Sequence, residues 1–146
     1  MALTSGLIGI RRRGPPSGNG TDFGYPVSAG EQIWLGSLLA LTSGNTVQRI
    51  QTSGSAAFAG ISPCDFSNVG NGTASVRNIE PSKGTWCLAV PGATGANVGM
   101  PVYAIDDNTL TLTNTGGLLQ IGTLAGIDLS ELARIGPQTF VRLLGS

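Results

Sequence analysis

The segment Gln32-Ile33-Trp34-Leu35-Gly36-Ser37-Leu38-Leu39-Ala40-Leu41 carries no charge and is closed by Thr42-Ser43-Gly44-Asn45, after which Thr46 to Gln51 bring back the apolar side chains Val47 and Ile50. Apolar residues on both sides of a Gly-Asn turn predict a β-hairpin with a deeply buried first strand. The same grammar of short apolar runs cut by turn residues continues to the C-terminus. Ala56 to Ser62 reads as a buried strand, and Thr73 to Ile79 alternates Ala74 and Val76 with Ser75 and Arg77. In Gly84 to Val90 the two-residue period places Trp86, Leu88 and Val90 on one face. Pro101 to Ile105, the turn Asp106-Asp107-Asn108 and Thr109 to Thr113 predict a further hairpin, with Leu110 and Leu112 inward. Asn114-Thr115-Gly116-Gly117 leads into Leu118 to Ala125, where Ile121 and Leu124 suggest a less regular strand. Asp128 to Ile135 is the one helix candidate, capped by Asp128 or Ser130 and ended by Gly136-Pro137, and Gln138 to Leu144 forms the last strand. About nine strands and one short helix predict a mainly β fold: a small single-domain β-barrel or β-sandwich at 25–146, with an extended N-terminal arm at 1–24.

The arm differs in composition. It combines Leu3, Leu7, Ile8 and Ile10 with Arg11-Arg12-Arg13 and the breaker cluster Gly14-Pro15-Pro16-Ser17-Gly18-Asn19-Gly20. Leu3, Leu7, Ile8, Ile10, Arg11, Arg12 and Arg13 are the candidate contact residues of the arm, for a sister subunit or another partner. Gly14, Pro15, Pro16, Gly18 and Gly20 form the hinge, a flexible stretch spanning about 15 Å.

Charged residues are 11% of the chain, against about 25% in an average soluble protein. Such a surface is neutral-polar and partly apolar, as in a subunit that buries much of its outside. Net charge is zero. Three of the eight cations fall at 11–13, which leaves five cations against eight anions elsewhere. An arm of one sign and a body of the other allow pairing between subunits.

The 146 residues contain no histidine, which removes the Ser/His/Asp and Cys/His nucleophile systems and His-bearing zinc sites. Cys64 and Cys87 permit one disulfide, but no secretory signal is evident, so a reducing cytoplasm and two buried thiols are expected. Asp106 and Asp107 read as turn-formers, with no metal expected. The glycines of Pro91 to Gly99 lack the Lys-Ser/Thr and the helix of a phosphate cradle, and no cofactor is expected. One lysine and four arginines in the body, with Tyr25, Phe58, Phe66, Trp86 and Tyr103 read as core, leave no basic groove for nucleic acid. No apolar run reaches membrane-spanning length. The sequons Asn19-Gly20-Thr21 and Asn71-Gly72-Thr73 read as plain loop.

The order of segments resembles the small capsid cement, or head decoration, proteins of tailed bacteriophages and prophages. The likeness is carried by Tyr25 to Leu41, Phe58-Ala59-Gly60-Ile61-Ser62, Asn97-Val98-Gly99-Met100-Pro101-Val102-Tyr103-Ala104-Ile105-Asp106-Asp107-Asn108 and Leu119-Gln120-Ile121-Gly122-Thr123-Leu124, with Val98 to Asp107 the most specific part. The arm, the helix-like Asp128 to Ile135 and the C-terminal strand depart from the family pattern. The resemblance implies a non-enzymatic virion protein on the capsid exterior, assembled in the host bacterial cytoplasm. Its expected partners are the phage major capsid protein and further copies of itself, a trimer being favoured over a dimer, with neither nucleic acid nor membrane. The other reading is a small β-barrel ligand- or carbohydrate-binding module of a virion. That module needs exposed aromatic platforms, whereas Trp34 and Trp86, the only tryptophans, lie in apolar strands.

Overall fold

The computed structural model describes residues 12–13, 24–51, 55–130 and 132–145, with the side chains of 12–13 and 132–133 excepted. The protein is mainly β, 41% strand, with no helix of seven residues or more among the described residues, so its packing is between sheets. The described residues form thirteen short strands against about nine expected, because Gln32 to Leu41 divides in two and short strands form at Arg12–Arg13, Tyr25–Pro26 and Phe66–Ser67, where none was expected. Six form one antiparallel sheet in the order β1 (Arg12–Arg13), β9 (Thr85–Cys87), β13 (Gln138–Leu143), β12 (Leu119–Asp128), β10 (Pro101–Ala104) and β11 (Leu110–Thr111). Three more make an antiparallel sheet in the order β5 (Val47–Arg49), β4 (Leu38–Leu41), β6 (Ala57–Ile61). Two ribbons complete the set: β2 (Tyr25–Pro26) with β8 (Asn78–Ile79), and β3 (Gln32–Ile33) with β7 (Phe66–Ser67). No closed barrel is present among the described residues, so the barrel expected as one possibility is not found.

The three-stranded sheet is the middle layer, and this accounts for the unbroken apolar run of β4. Successive side chains of a strand point to opposite faces. Leu38 and Ala40 enter the larger core with Phe58, Ile61, Leu88, Val102, Ile121 and Val141, while Leu39 enters a second core with Val27, Ile33, Val47, Ala59 and Ile79. A sheet covered on both faces has no position that favours a polar residue. The hairpin to β5 forms as expected, with Asn45 at φ 60 in its turn.

Bulges keep the side chains aimed at the core. In β6 the register with β4 shifts between Leu39 and Ala40, so Ala40 opposes Phe58 and Leu39 opposes Gly60. The extra residue, Ala59, brings Phe58 and Ile61 to one face although they are three apart. Gly60 has φ 142, and a Cβ there would lie 2.7 Å from the Ser82 carbonyl oxygen, so no other residue fits without backbone movement. In β12, shifts at Ile121 and at Ala125 keep Leu119, Ile121, Leu124 and Ile127 on the larger core. This is the physical basis of the irregularity read in Leu118 to Ala125. At Gly122 a Cβ would fall within 2.1 Å of the Arg142 carbonyl oxygen on β13.

Several expected strands are shorter, for a common reason. Gln32 to Leu41 divides into β3 and β4 at Trp34–Ser37, where Gly36 (φ 86) turns the chain from ribbon to middle sheet. Thr73 to Ile79 keeps only β8. The Ser75 hydroxyl accepts from the Val27 amide (2.8 Å) and donates to the Arg77 carbonyl (2.6 Å), standing in for strand pairing and leaving Val76 fully exposed. Thr109 to Thr113 keeps only β11, since the Thr113 amide donates to the Thr111 hydroxyl at 3.1 Å. The helix shrinks to α1 (Leu132–Ile135), because Asp128 ends β12 and its carboxylate accepts from the Ser130 amide at 2.9 Å.

Phe58 is buried; Tyr25, Phe66 and Trp86 are half-buried against the two cores, and Tyr103 is half-buried outside them. Cys64 and Cys87 are half-buried rather than buried, and neither is in a disulfide.

Candidate interaction surfaces

The arm residues Leu3, Leu7, Ile8, Ile10 and Arg11 and the hinge residues Gly14, Pro15, Pro16, Gly18 and Gly20 lie outside the described residues. Arg12 and Arg13 are described by backbone alone: they pair antiparallel with Trp86 and Thr85, on the outer edge of β9. A strand with one neighbour offers a row of main-chain donors and acceptors to another extended segment, and β9 receives one here.

The Asp106-Asp107 pair divides two tasks. The Asp106 carboxylate accepts from the amides of Asn108 (3.0 Å) and Thr109 (2.9 Å) and so closes the turn between β10 and β11. Partial burial works against its ionisation, but the hydrogen bonds that it accepts, those from the Asn108 amide and the Thr109 side chain among them, hold its carboxyl below the usual range. Asp107 is 1% exposed. Its carbonyl accepts from the Leu38 amide at 2.9 Å and its carboxylate from the Ser37 hydroxyl at 3.3 Å, with the Arg49 guanidinium 4.0 Å away. Arg49 in turn binds the Glu31 carboxylate at 2.8 Å. Asp107 therefore joins the six-stranded sheet to the middle layer, a role that sequence spacing alone does not reveal. Among the described residues no group of three His, Cys, Asp or Glu side chains converges as a metal site.

The remaining cations of the body are distributed. Lys83 stands 4.9 Å over the Phe58 ring and donates to the Leu144 carbonyl, and Arg77 stands 5.8 Å over Phe66. Both rings thus have a cation on one face, which leaves that face unsuited to base stacking. The glycine-rich Pro91 to Gly99 loop contains a single 3-10 turn, Gly95–Asn97, closed by the Asn97 carboxamide oxygen on the Thr94 amide at 2.8 Å.

Two kinds of surface remain for recognition. Leu35, Val69, Val76, Val98, Met100 and Leu129 are among the large apolar side chains held in solvent. A cleft of about 530 Å³ lies between the start of β6 and the 115–120 segment, with Gln51, Ser55, Ile105, Thr115, Leu119 and Gln120 in its lining. Among the described residues no charged side chain lines it, and neither tryptophan does. It can offer amides, hydroxyls and short apolar walls to an uncharged ligand. Comparisons of the chain with protein-family models, with curated proteins and with solved structures each found no match.

Proposed function

We propose that this chain is a non-enzymatic structural protein of a virion, which binds the outside of an expanded phage capsid and cements the contacts between major capsid subunits. The observation that carries the reading is the combination of a charge-poor β body with large apolar side chains left in solvent, Val69, Val76, Val98, Met100 and Leu129 among them. Exposed apolar groups on a neutral surface favour a subunit that is covered by others. The sequence likeness to capsid cement proteins points the same way. Its most specific segment, Val98 to Asp107, supplies here a turn and a link between sheets, so what it shares is architecture and not a reactive group. The mechanism is multivalency. Each copy bridges several capsid subunits, copies associate with one another as trimers, and the arm adds strand hydrogen bonds and arginine charge to a contact made by the body.

Co-sedimentation with cognate heads stripped of this protein tests the reading. Saturable binding to expanded but not unexpanded shells, with a higher rupture temperature, is the expected outcome. Failure to bind either shell overturns it. Deleting residues 1–24 is expected to leave a folded body that binds shells weakly, and unchanged occupancy removes the arm from the mechanism.

A second reading, a ligand- or carbohydrate-binding module of a virion, rests on the uncharged cleft beside Gln51 and Gln120. Titration with neutral oligosaccharides, monitored by chemical-shift changes at those two residues, separates it from the first.

A further inference from the structure

We infer that Asn71-Gly72 is a site of spontaneous deamidation, and that the conversion unties the loop in which it sits. The inference is independent of any capsid role. Asn71 and Gly72 are both exposed, between the turn at Val69–Gly70 and Thr73. The Gly72 amide donates to no protein acceptor among the described residues, and a Cβ built at Gly72 would meet nothing within 4 Å. A main-chain nitrogen with no side chain beside it and no hydrogen bond to give up is accessible to the neighbouring carboxamide carbon. The step is an acyl transfer. The Gly72 nitrogen loses its proton and bonds to Cγ of Asn71, the bond from Cγ to Nδ2 breaks, and that nitrogen leaves as ammonia. Water then opens the resulting succinimide at either carbonyl, leaving aspartate or isoaspartate at 71. No oxidant or metal is needed.

The consequence comes from what Asn71 holds. Its Nδ2 donates to Oδ1 of Asn68 at 2.8 Å. Asn68 is buried, and its own Nδ2 lies within bonding distance of three carbonyls: Ser28 at 2.9 Å, Thr73 at 3.0 Å and Val27 at 3.3 Å. Its amide donates to the Glu31 carbonyl at 2.8 Å. A carboxylate at 71 sets an acceptor against the Asn68 Oδ1, with no proton between them. Turning the Asn68 carboxamide over gives no relief, because its oxygen then faces the carbonyls of Val27, Ser28 and Thr73. An uncompensated buried acceptor is costly, and the new charge adds to that cost. Protonation of the acid restores a donor, so the damage belongs to neutral and alkaline pH and fades as pH falls through the carboxylate range.

The test uses the full chain, wild type and Gly72→Ala, held folded in mildly alkaline buffer and followed by peptide mass mapping. Gly72→Ala suits the purpose because its Cβ meets nothing and Gly72 lies outside the left-handed region. Wild type is expected to accumulate aspartate and isoaspartate at 71, and the alanine variant to do so slower by about an order of magnitude. No conversion at 71, or equal rates in the two proteins, overturns the chemistry. Homogeneous Asn71→Asp protein separates the consequence from the rate. It is expected to melt below wild type and below Asn71→Ser at neutral pH, with the deficit shrinking on acidification. Melting at the wild-type temperature across that range overturns the untying.

Discussion

Two polar knots tie outer segments to the middle sheet, one built of charge and one of neutral amide. The charged knot, Glu31, Arg49, Asp107 and Ser37, sets two buried carboxylates on one guanidinium at 2.8 and 4.0 Å. The neutral knot, centred on Asn68, is built of bonds between 2.8 and 3.3 Å that use both ends of one carboxamide. Glu31 belongs to both, through its side chain in the first and its carbonyl in the second. The charged knot depends on charge balance and tolerates loose geometry. The neutral knot depends on direction, since a carboxamide has only two donors and one acceptor oxygen to place. The two therefore fail differently.

The largest effect is expected from Arg49→Leu. Removing the cation leaves Glu31 and Asp107 buried without this counter-charge, a loss of about 3–5 kcal/mol in chemical denaturation. Restoring a cation there with Arg49→Lys is expected to recover part of that loss; no recovery breaks the charge-balance account. Asn68→Ala comes next, at about 2 kcal/mol, since three carbonyls and the Asn71 carboxamide lose a partner while part of the site meets water. Asn68→Asp, which keeps the size but loses the donors, is expected to recover none of it, and this contrast with Arg49→Lys is the sharpest test of the comparison. Ser37→Ala removes one donor from Asp107 and one acceptor from the Trp34 amide, at about 1 kcal/mol. The smallest change is expected from Asp106→Asn. The lowered carboxyl of Asp106 adds stability that is complete at neutral pH and is lost as pH falls through its folded value, and the variant lacks that acid-dependent part. Denaturation of the two proteins at neutral and acid pH compares them.

The β class, the β4–β5 hairpin and the inward faces of Trp86, Leu88 and Val90 were legible in the sequence, because period and turn chemistry are local properties. Strand ends were not. Ser75 and Thr111 satisfy main-chain groups with their hydroxyls, and the apolar-polar alternation around them looks the same whether or not a partner strand is present. The turn role of Asp106 was legible for the same local reason. The burial of Asp107 was not, because its partners Ser37 and Arg49 stand about 60 to 70 residues earlier in the chain.

Composition alone determined that the chain has few charges, no histidine, and a body and an arm of different character, since these are counts that folding cannot alter. Only the tertiary structure decided that β4 lies in a middle layer, that Gly60 and Gly122 admit no side chain, and that Asn68 and Asp107 are the fastening points. Each of these depends on which distant segment lies opposite, and that is settled by packing three layers at once and not by any residue's own preference.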